Sequence, residues 1–377
     1  MSSDLTSRYE IVPYRPEHKD AVVDLWSSVF VTDPFDRRSY FEWKYERNPY
    51  LPEPILFLAL DGNGQVVGTR GFHGSVWQSL DASLVLPCAE DFAIAPDHQD
   101  SGLATELMRV ALDDLTQRGY EYVLSASAGQ TTVLHSLVMG WKSIGAMEPV
   151  GRVASQGHLR RGLDLASRRA RKLWRPRGFS RVINRKLYGS PFEQLDRVAQ
   201  RHPVGRQAPI VVERSPDPAA LAELAARLPH DGRIRHIRDQ AFFEWRYANP
   251  AREYRFLLSQ CSGRVDGYMA LARSNPLAVQ ISDWDGTSHE VRAQLLEFAL
   301  SRGGLAGIGA WTASLPHRSK ELLEHSGFQP TEMDRRARGM PSVLLKKLGG
   351  NGDWAIAGLP AREPSSWDIR LIDSMHG

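Results

Sequence analysis

The segment Gln99-Asp100-Ser101-Gly102-Leu103-Ala104 joins an apolar strand to an amphipathic helix, and this junction restricts the fold more than any other stretch of the chain. Phe92-Ala93-Ile94-Ala95 reads as a strand end and Pro96-Asp97-His98 as a turn. Beyond the loop, Leu103, Leu107, Val110, Ala111, Leu112 and Leu115 recur at helical spacing until Gly119 stops the helix. A strand–loop–helix of this kind turns several backbone N–H groups outward at a helix N-terminus, where no intrahelical acceptor exists for them. The helix dipole adds positive potential, which makes the loop a site for a phosphate or pyrophosphate. Gly102 lets the backbone approach such a ligand closely, and Ala104 keeps the first helical turn uncrowded.

The same order of elements continues with a buried strand (Tyr122-Val123-Leu124-Ser125), a short helix (Thr131 to Met139) and the pair Gly140-Trp141. In this context the loop resembles the acyl-CoA-binding motif of the GNAT superfamily of N-acetyltransferases, Gln/Arg-x-x-Gly-x-Gly/Ala. Gly140-Trp141 is similar to the Gly-Phe at which those domains enter their last two strands. The likeness spans about Tyr9 to Val153. It implies acetyl-CoA or another acyl-CoA as co-substrate, bound at Gln99, Asp100, Ser101, Gly102, Leu103, Ala104 and Thr105. It also implies a strand that splays from its neighbour, so that the free backbone edge of Phe92, Ala93 and Ile94 holds the pantetheine arm. The expected acceptor is the primary amine of a small molecule, with a sugar-linked amine the first choice.

N-acyl transfer to an amine needs a base, because an alkyl ammonium is protonated at pH 7. The adjacent carboxylates Glu90 and Asp91 precede the loop and, on a regular strand, point to opposite faces. Either is a candidate base. The commonest base position of the family, two residues before Glu90, is Cys88 here. The family's tyrosine acid, four residues before the Gly-Phe pair, falls on Ser136, with His135 beside it. His135 titrates near physiological pH and is the better donor to a departing thiolate. His73 is a candidate for the acceptor cleft.

The chain also repeats itself. Phe41-Glu42-Trp43-Lys44-Tyr45 leads to Asn48-Pro49, and Phe243-Glu244-Trp245-Arg246-Tyr247 leads to Asn249-Pro250. Each is followed by an apolar strand and a Gly-containing strand, and Gly327-Phe328 answers Gly140-Trp141. Two homologous domains are expected, in an α/β protein whose twisted mixed sheets are flanked by helices. Because both copies carry it, the Phe-Glu-Trp-Lys/Arg-Tyr helix reads as structural, its aromatics in the core and its charges in surface or intersheet ion pairs. The second copy has Asp283-Trp284-Asp285-Gly286-Thr287-Ser288 where the phosphate loop should lie, with a helix from Val291 to Arg302 capped by Thr287 or Ser288. Only the first copy should bind acyl-CoA, as in tandem-GNAT proteins of the mycothiol synthase and Fem-type aminoacyltransferase lineages, which this arrangement resembles. The expected bounds are 1–155 for the acyl-CoA domain, 156–207 for a linking insertion and 208–377 for the degenerate copy.

The insertion is basic. Between Leu159 and Leu187 there are eleven Lys or Arg and one acid, Asp164, so the net charge of +3 hides a mildly acidic remainder. Leu159, Leu163, Ala166, Ala170 and Leu173 line one face of a helix beside Trp174, and arginines cover the rest. That pattern fits an interdomain strut or a peripheral contact with an anionic membrane. No aromatics interleave the charges, which argues against DNA or RNA as partner. Cys88 and Cys261 fall in different halves and suggest neither a disulfide framework nor a metal site. No apolar run approaches a membrane span and Met1 to Leu5 carries no signal-peptide pattern, so cytoplasm is the expected compartment. Two other classes remain open at this stage: an aminoacyltransferase using aminoacyl-tRNA, and a non-catalytic acyl-CoA-binding protein.

Overall fold

In the computed structural model the described residues are 8–30, 35–80, 82–126, 130–153, 192–193, 195–197, 210–275, 278–301, 305, 307–331, 342–350 and 352–374. The chain divides into two units. One comprises Met1–Met147, His230–Ala251 and Ala337–Ile369, and the other Glu148–Pro229, Arg252–Arg336 and Arg370–Gly377.

The first unit is built on strands β1 (Tyr9–Pro13), β2 (Ile55–Asp61), β3 (Val66–Ser79), β4 (Ala82–Ile94), β5 (Tyr122–Ser125) and β6 (Lys142–Ala146). Strands β1 to β4 form an antiparallel meander, and β5 then runs parallel to β4. A strand from far along the chain, β15 (Ser342–Lys347), is inserted between β5 and β6, antiparallel to both. The near-continuous burial of β3 reflects helices on both of its faces. On one face lies helix α1 (Lys19–Val29), whose Trp26 donates its indole N–H to Thr69 Oγ1 at 2.9 Å. Helix α3 (Leu103–Gln117) buries Leu107, Met108, Ala111 and Leu115 in a cluster with Phe57, Phe72, Val123, Trp141 and Leu344. Each Leu, Met, Phe or Val among them contributes roughly 1.5–3 kcal/mol by leaving water.

The second unit carries β7 (Pro149–Val153), β8 (Ile210–Glu213), β10 (Tyr254–Cys261), β11 (Arg264–Asn275), β12 (Ala278–Gly286), β13 (Gly307–Trp311) and β14 (Gln329–Pro330). Its sheet runs β14-β7-β13-β12-β11-β10-β8, and the first sheet, read from its corresponding edge, runs β6-β15-β5-β4-β3-β2-β1. The two orders match strand for strand. In each, the strand next to that edge comes from a segment that directly follows a stretch of the other unit: β15 lies in Ala337–Ile369, after Arg252–Arg336, and β7 in Glu148–Pro229, after Met1–Met147. Helices α5 (Pro218–Arg227), α7 (His289–Ser301) and α8 (His317–His325) complete the second unit, whose core gathers Leu257, Met269, Leu271, Trp284, Leu295, Leu296 and Phe328. The two glycines of the Gly-aromatic pairs, Gly140 and Gly327, share a left-handed φ of 82°.

The repeated pentapeptides both lie in the first unit. One follows helix α2 (Arg37–Phe41) as a π-helical turn over Glu42–Glu46, and the other ends the regular helix α6 (Gln240–Tyr247). Trp43 and Trp245 stack with ring centroids 5.1 Å apart at 11°. Each indole N–H donates to the backbone carbonyl of the other tryptophan, at 2.5 Å and 2.8 Å. The reading of the aromatics as core holds; that of the charges needs correction. Glu42 does pair near the surface, with Lys19 at 2.9 Å, but Lys44 is fully buried. The widened π turn accompanies this inward placement, as such turns often do at functional sites. A short strand at Trp367–Asp368 pairs in parallel with β9 (Ile234–His236), which extends the first sheet beside β3. The basic helix expected between Leu159 and Arg175 lies outside the described residues. No described helix is long and apolar enough to cross a membrane.

Candidate active site

Strand β4 holds the key distortion. Its pairing with β3 slips between Thr69 and Gly71, so that Arg70 alone opposes both Asp91 and Phe92. The extra residue is accommodated at Asp91, whose φ of 48° places it in the left-handed region, which aspartate tolerates better than most residues. This bulge overturns the expectation that Glu90 and Asp91 face opposite sides. Both carboxylates converge on the ammonium of Lys44, Glu90 at 3.3 Å and Asp91 at 2.8 Å.

The cluster continues outward from Lys44. Its ammonium also donates to Tyr40 Oη at 3.0 Å, and Tyr45 donates its hydroxyl to Asp91 at 2.6 Å. Tyr45 crosses the sheet over Gly71, where any Cβ would stand 2.0 Å from its hydroxyl; only glycine leaves that path open. Burial alone would push the Lys44 pKa down, yet Asp91 and Glu90 outweigh it and hold the ammonium above its ordinary range. Burial, then Asp91, pushes the Tyr45 phenol well up, so it stays a hydrogen-bond donor. Cys88 is buried with its Sγ 3.1 Å from Ser75 Oγ. His73 is buried beside Trp245, and desolvation together with Lys44 depresses its pKa strongly, so it is neutral.

Strands β4 and β5 are paired only at Cys88 and Leu124. Beyond that point they diverge, and the β4 edge through Phe92, Ala93 and Ile94 is left without a strand partner on the β5 side among the described residues. A short 3-10 turn at Pro96–His98 then leads into the loop. Two left-handed residues, Asp100 at φ 57° and Gly102 at φ 83°, wind the backbone into the first turn of α3. Among the described residues the N–H groups of Asp100, Ser101, Gly102 and Ala104 reach no protein acceptor, and that of Leu103 reaches only Ser101 Oγ at 3.4 Å. The loop is braced from behind: Gln99 donates to the Ile94 carbonyl at 3.2 Å and Ser101 to that of His98 at 2.7 Å. Amides left open at a helix N-terminus suit the pyrophosphate of a coenzyme A.

Helix α4 (Gln130–Val138) brings its histidine to this loop. His135 Nε2 lies 3.0 Å from Thr105 Oγ1, and its ring stacks on Phe92 with centroids 6.1 Å apart. Burial, with help from the Arg70 charge, lowers its pKa below 6.5. Ser136 is buried beside it. The structure therefore gathers two groups of expected residues. Glu90 and Asp91 surround Lys44, while Phe92 and His135 adjoin Thr105 at the loop.

At the corresponding turn of the second sheet, three amides have acceptors within the chain. The Gly286 amide donates to Asp285 Oδ1 at 2.9 Å, that of Thr287 to the Asp266 carbonyl at 2.8 Å, and that of Val291 to Ser288 Oγ at 3.2 Å. Ser288 is thus the cap of α7, one of the two expected. Arg370 spans Asp283 at 3.1 Å and Asp285 at 3.0 Å. Among the described residues no group of His, Cys, Asp or Glu is arranged to hold a metal ion.

Sequence reasoning missed Lys44, Tyr40, Tyr45 and Arg70. Lys44 was set aside because its helix recurs. Arg70 did carry a signal: it is the one charged residue in the run Val66-Val67-Gly68-Thr69-Arg70-Gly71-Phe72.

Residues 19–135 match the model of the Acetyltransferase (GNAT) family. A search of curated proteins found no match. Among solved structures, the chain is similar to a conserved protein of unknown function from Enterococcus faecalis, described as a probable N-acyltransferase. The two are 11% identical with a TM-score of 0.59, over 90% of this chain and 73% of that one. A GCN5-related N-acetyltransferase from Anabaena variabilis is 12% identical with a TM-score of 0.59, covering 91% of this chain and 73% of its own. Another, from Kribbella flavida, is 13% identical with a TM-score of 0.53, covering 92% and 73%. At these identities the likeness is one of fold. The stretch that holds the splayed strand, the open amides and His135 lies within the residues that match the family model.

Proposed function

We propose that the chain is an N-acyltransferase that moves an acetyl or other short acyl group from acyl-CoA to a primary amine, with its one working site in the first unit. The observation that carries this reading is the set of open amides at Asp100, Ser101, Gly102 and Ala104, set beside the free edge of β4. Pyrophosphate would accept from the amides and the pantetheine arm would run along Phe92 to Ile94. The thioester then lies toward the bulge. The acceptor nitrogen attacks the thioester carbon, a C–N bond forms, the C–S bond breaks, and the thiolate leaves. Glu90 and Asp91 share a single buried ammonium, so the cluster around Lys44 keeps negative charge with which to draw a proton from the incoming ammonium, directly or through water. His135, neutral at pH 7, positions Thr105 and the loop, and solvent protonates the thiolate. The second unit, three of whose loop amides already have acceptors within the chain, serves as a scaffold in a tandem arrangement.

Replacing Gly102 by Glu tests the site. A side chain at φ 83° is strained by about 1–2 kcal/mol, and a carboxylate there would repel the pyrophosphate. Calorimetric titration with acetyl-CoA should show tight binding to the wild type and none to G102E, with matching circular dichroism spectra. Equal binding by both proteins would refute the assignment.

A further inference from the structure

Arg70 stands apart from every other buried charge near the site. It lies on β3 opposite the bulge, is 2% exposed, and makes no hydrogen bond or ion pair with any described residue. Its Nε is buried without an acceptor. Phe72 and Phe92 lie beside the guanidinium, 5.4 Å and 5.2 Å from it to their ring centroids. Phe92 in turn stacks on His135, which contacts Thr105 in the first turn after the loop. A line of contacts therefore runs from the phosphate loop to Arg70, and on its other side the Glu90, Asp91 and Lys44 cluster begins. Arg70 sits where the acyl group and the acceptor amine would meet.

A guanidinium in such a place is costly to bury unpaired, and structural arginines in protein interiors carry partners. The two carboxylates nearby are engaged elsewhere: Glu90 and Asp91 both pair with Lys44, and Asp91 also accepts from Tyr45. We propose that Arg70 receives a carboxylate carried by one of the two substrates, in addition to the acyl and amine groups that react. The inference rests on the acyltransferase reading given above. Two parallel N–H groups of a guanidinium match the two oxygens of a carboxylate, and an aromatic-lined, water-poor setting strengthens that pair. Burial lowers the Arg70 pKa to about 10, partly offset by Glu90, Tyr45 and Asp91, so the side chain is still charged at neutral pH. The carboxylate has two possible sources: the acyl chain of a dicarboxylic acyl-CoA, or an acceptor that is an amino acid.

The experiment has two arms on the full chain, each run with wild type, Arg70→Met and Arg70→Lys. In the donor arm, acetyl-CoA, malonyl-CoA and succinyl-CoA are titrated calorimetrically. In the acceptor arm, amino acids and their carboxamides are compared as acceptors for acetyl-CoA by release of free thiol. In one arm the wild type should prefer the carboxylate-bearing member by about 10- to 100-fold, the range expected of a charge-assisted pair. Arg70→Met should erase that preference, and Arg70→Lys should keep only part of it. Arg70→Met should also unfold at or above the wild-type temperature, because it removes an unpaired buried charge, whereas a structural guanidinium would lower it. Acetyl-CoA binding with no carboxylate preference in either arm, or a preference that survives in Arg70→Met, overturns the inference alone. Failure of the wild type to bind any acyl-CoA would remove the acyltransferase reading as well.

Discussion

Replacing Lys44 by Met should destabilise the first unit strongly and in a pH-dependent way. The ammonium is fully buried and is shared by Glu90 and Asp91. Its loss leaves two carboxylates in a poorly solvated site, and breaking a buried pair from one side costs about 3–5 kcal/mol. For a unit of this size each kcal/mol lowers the melting temperature by about 2–4 °C, so a drop of roughly 6–20 °C is expected at pH 8. In the wild type, the raised Lys44 pKa contributes stability that is complete below its ordinary unfolded value of about 10.4, and it is constant between pH 5 and 8. In K44M the two poorly solvated carboxylates lose their cation and are left as like charges side by side. Such groups favour the folded state only when protonated, so the deficit should shrink as pH falls from 8 to 5. The triple variant K44M/E90Q/D91N removes the charges together and should recover most of the loss; asparagine also tolerates the left-handed backbone at position 91. Differential scanning calorimetry at pH 5 and 8 reads all three proteins. A K44M transition within 2 °C of wild type at pH 8, or a deficit equal at both pH values, would refute the reasoning.

Two further outcomes follow from the same unit. The His135 imidazole should titrate below pH 6.5 by NMR, and its midpoint should move up in Arg70→Met, since burial and then the Arg70 charge depress it; an unchanged midpoint in that variant would contradict the placement. Trp245→Phe removes the indole N–H that the buried Trp43 carbonyl accepts and should cost about 1–3 kcal/mol by urea unfolding, while wild-type stability in that variant would mean the reciprocal pair is dispensable.

What the sequence disclosed follows from the range of the interactions involved. The loop, helix α3 and strand β5 are local: apolar spacing and Gly119 set the helix, and the observed Leu103–Gln117 and Tyr122–Ser125 lie where the pattern puts them. The repeat was legible because near-identity at two places needs no knowledge of the fold, and the two sheets do share one strand order. The convergence of Glu90 and Asp91 was not legible. Alternation along a strand predicts opposite faces, and one left-handed residue at Asp91 cancels it without any glycine to mark the place. Lys44 was misread for a related reason: in one copy the shared pentapeptide winds as a π turn and in the other as an α-helix, so equal sequence does not mean equal burial partners. The insertion of β15 between β5 and β6 joins residues 196 to 225 positions apart, and no local pattern encodes such a pairing.

That insertion sets a limit on how the protein can be cut. A fragment of residues 1–155 would contain the phosphate loop, the bulge and the carboxylate cluster, yet lack the strand on which both β5 and β6 depend. Val343, Leu344 and Leu345 are each fully buried in the intact chain, and their removal forfeits roughly 1.5–3 kcal/mol apiece, about 5–9 kcal/mol together. The fragment would lose the ladders to Tyr122–Ser125 and Lys142–Ala146 as well, and would expose two strand edges where one strand had been. A loss of that size takes up most of the roughly 5–15 kcal/mol that holds a domain folded. The fragment should therefore fail to show a cooperative melting transition and should aggregate, whereas the full chain melts cooperatively. The synthetic peptide 337–350 added in excess should restore part of the transition, since it supplies the missing strand. A fragment 1–155 that melts cooperatively and binds acetyl-CoA as the full chain does would show that β15 is an accessory to this sheet rather than part of its foundation.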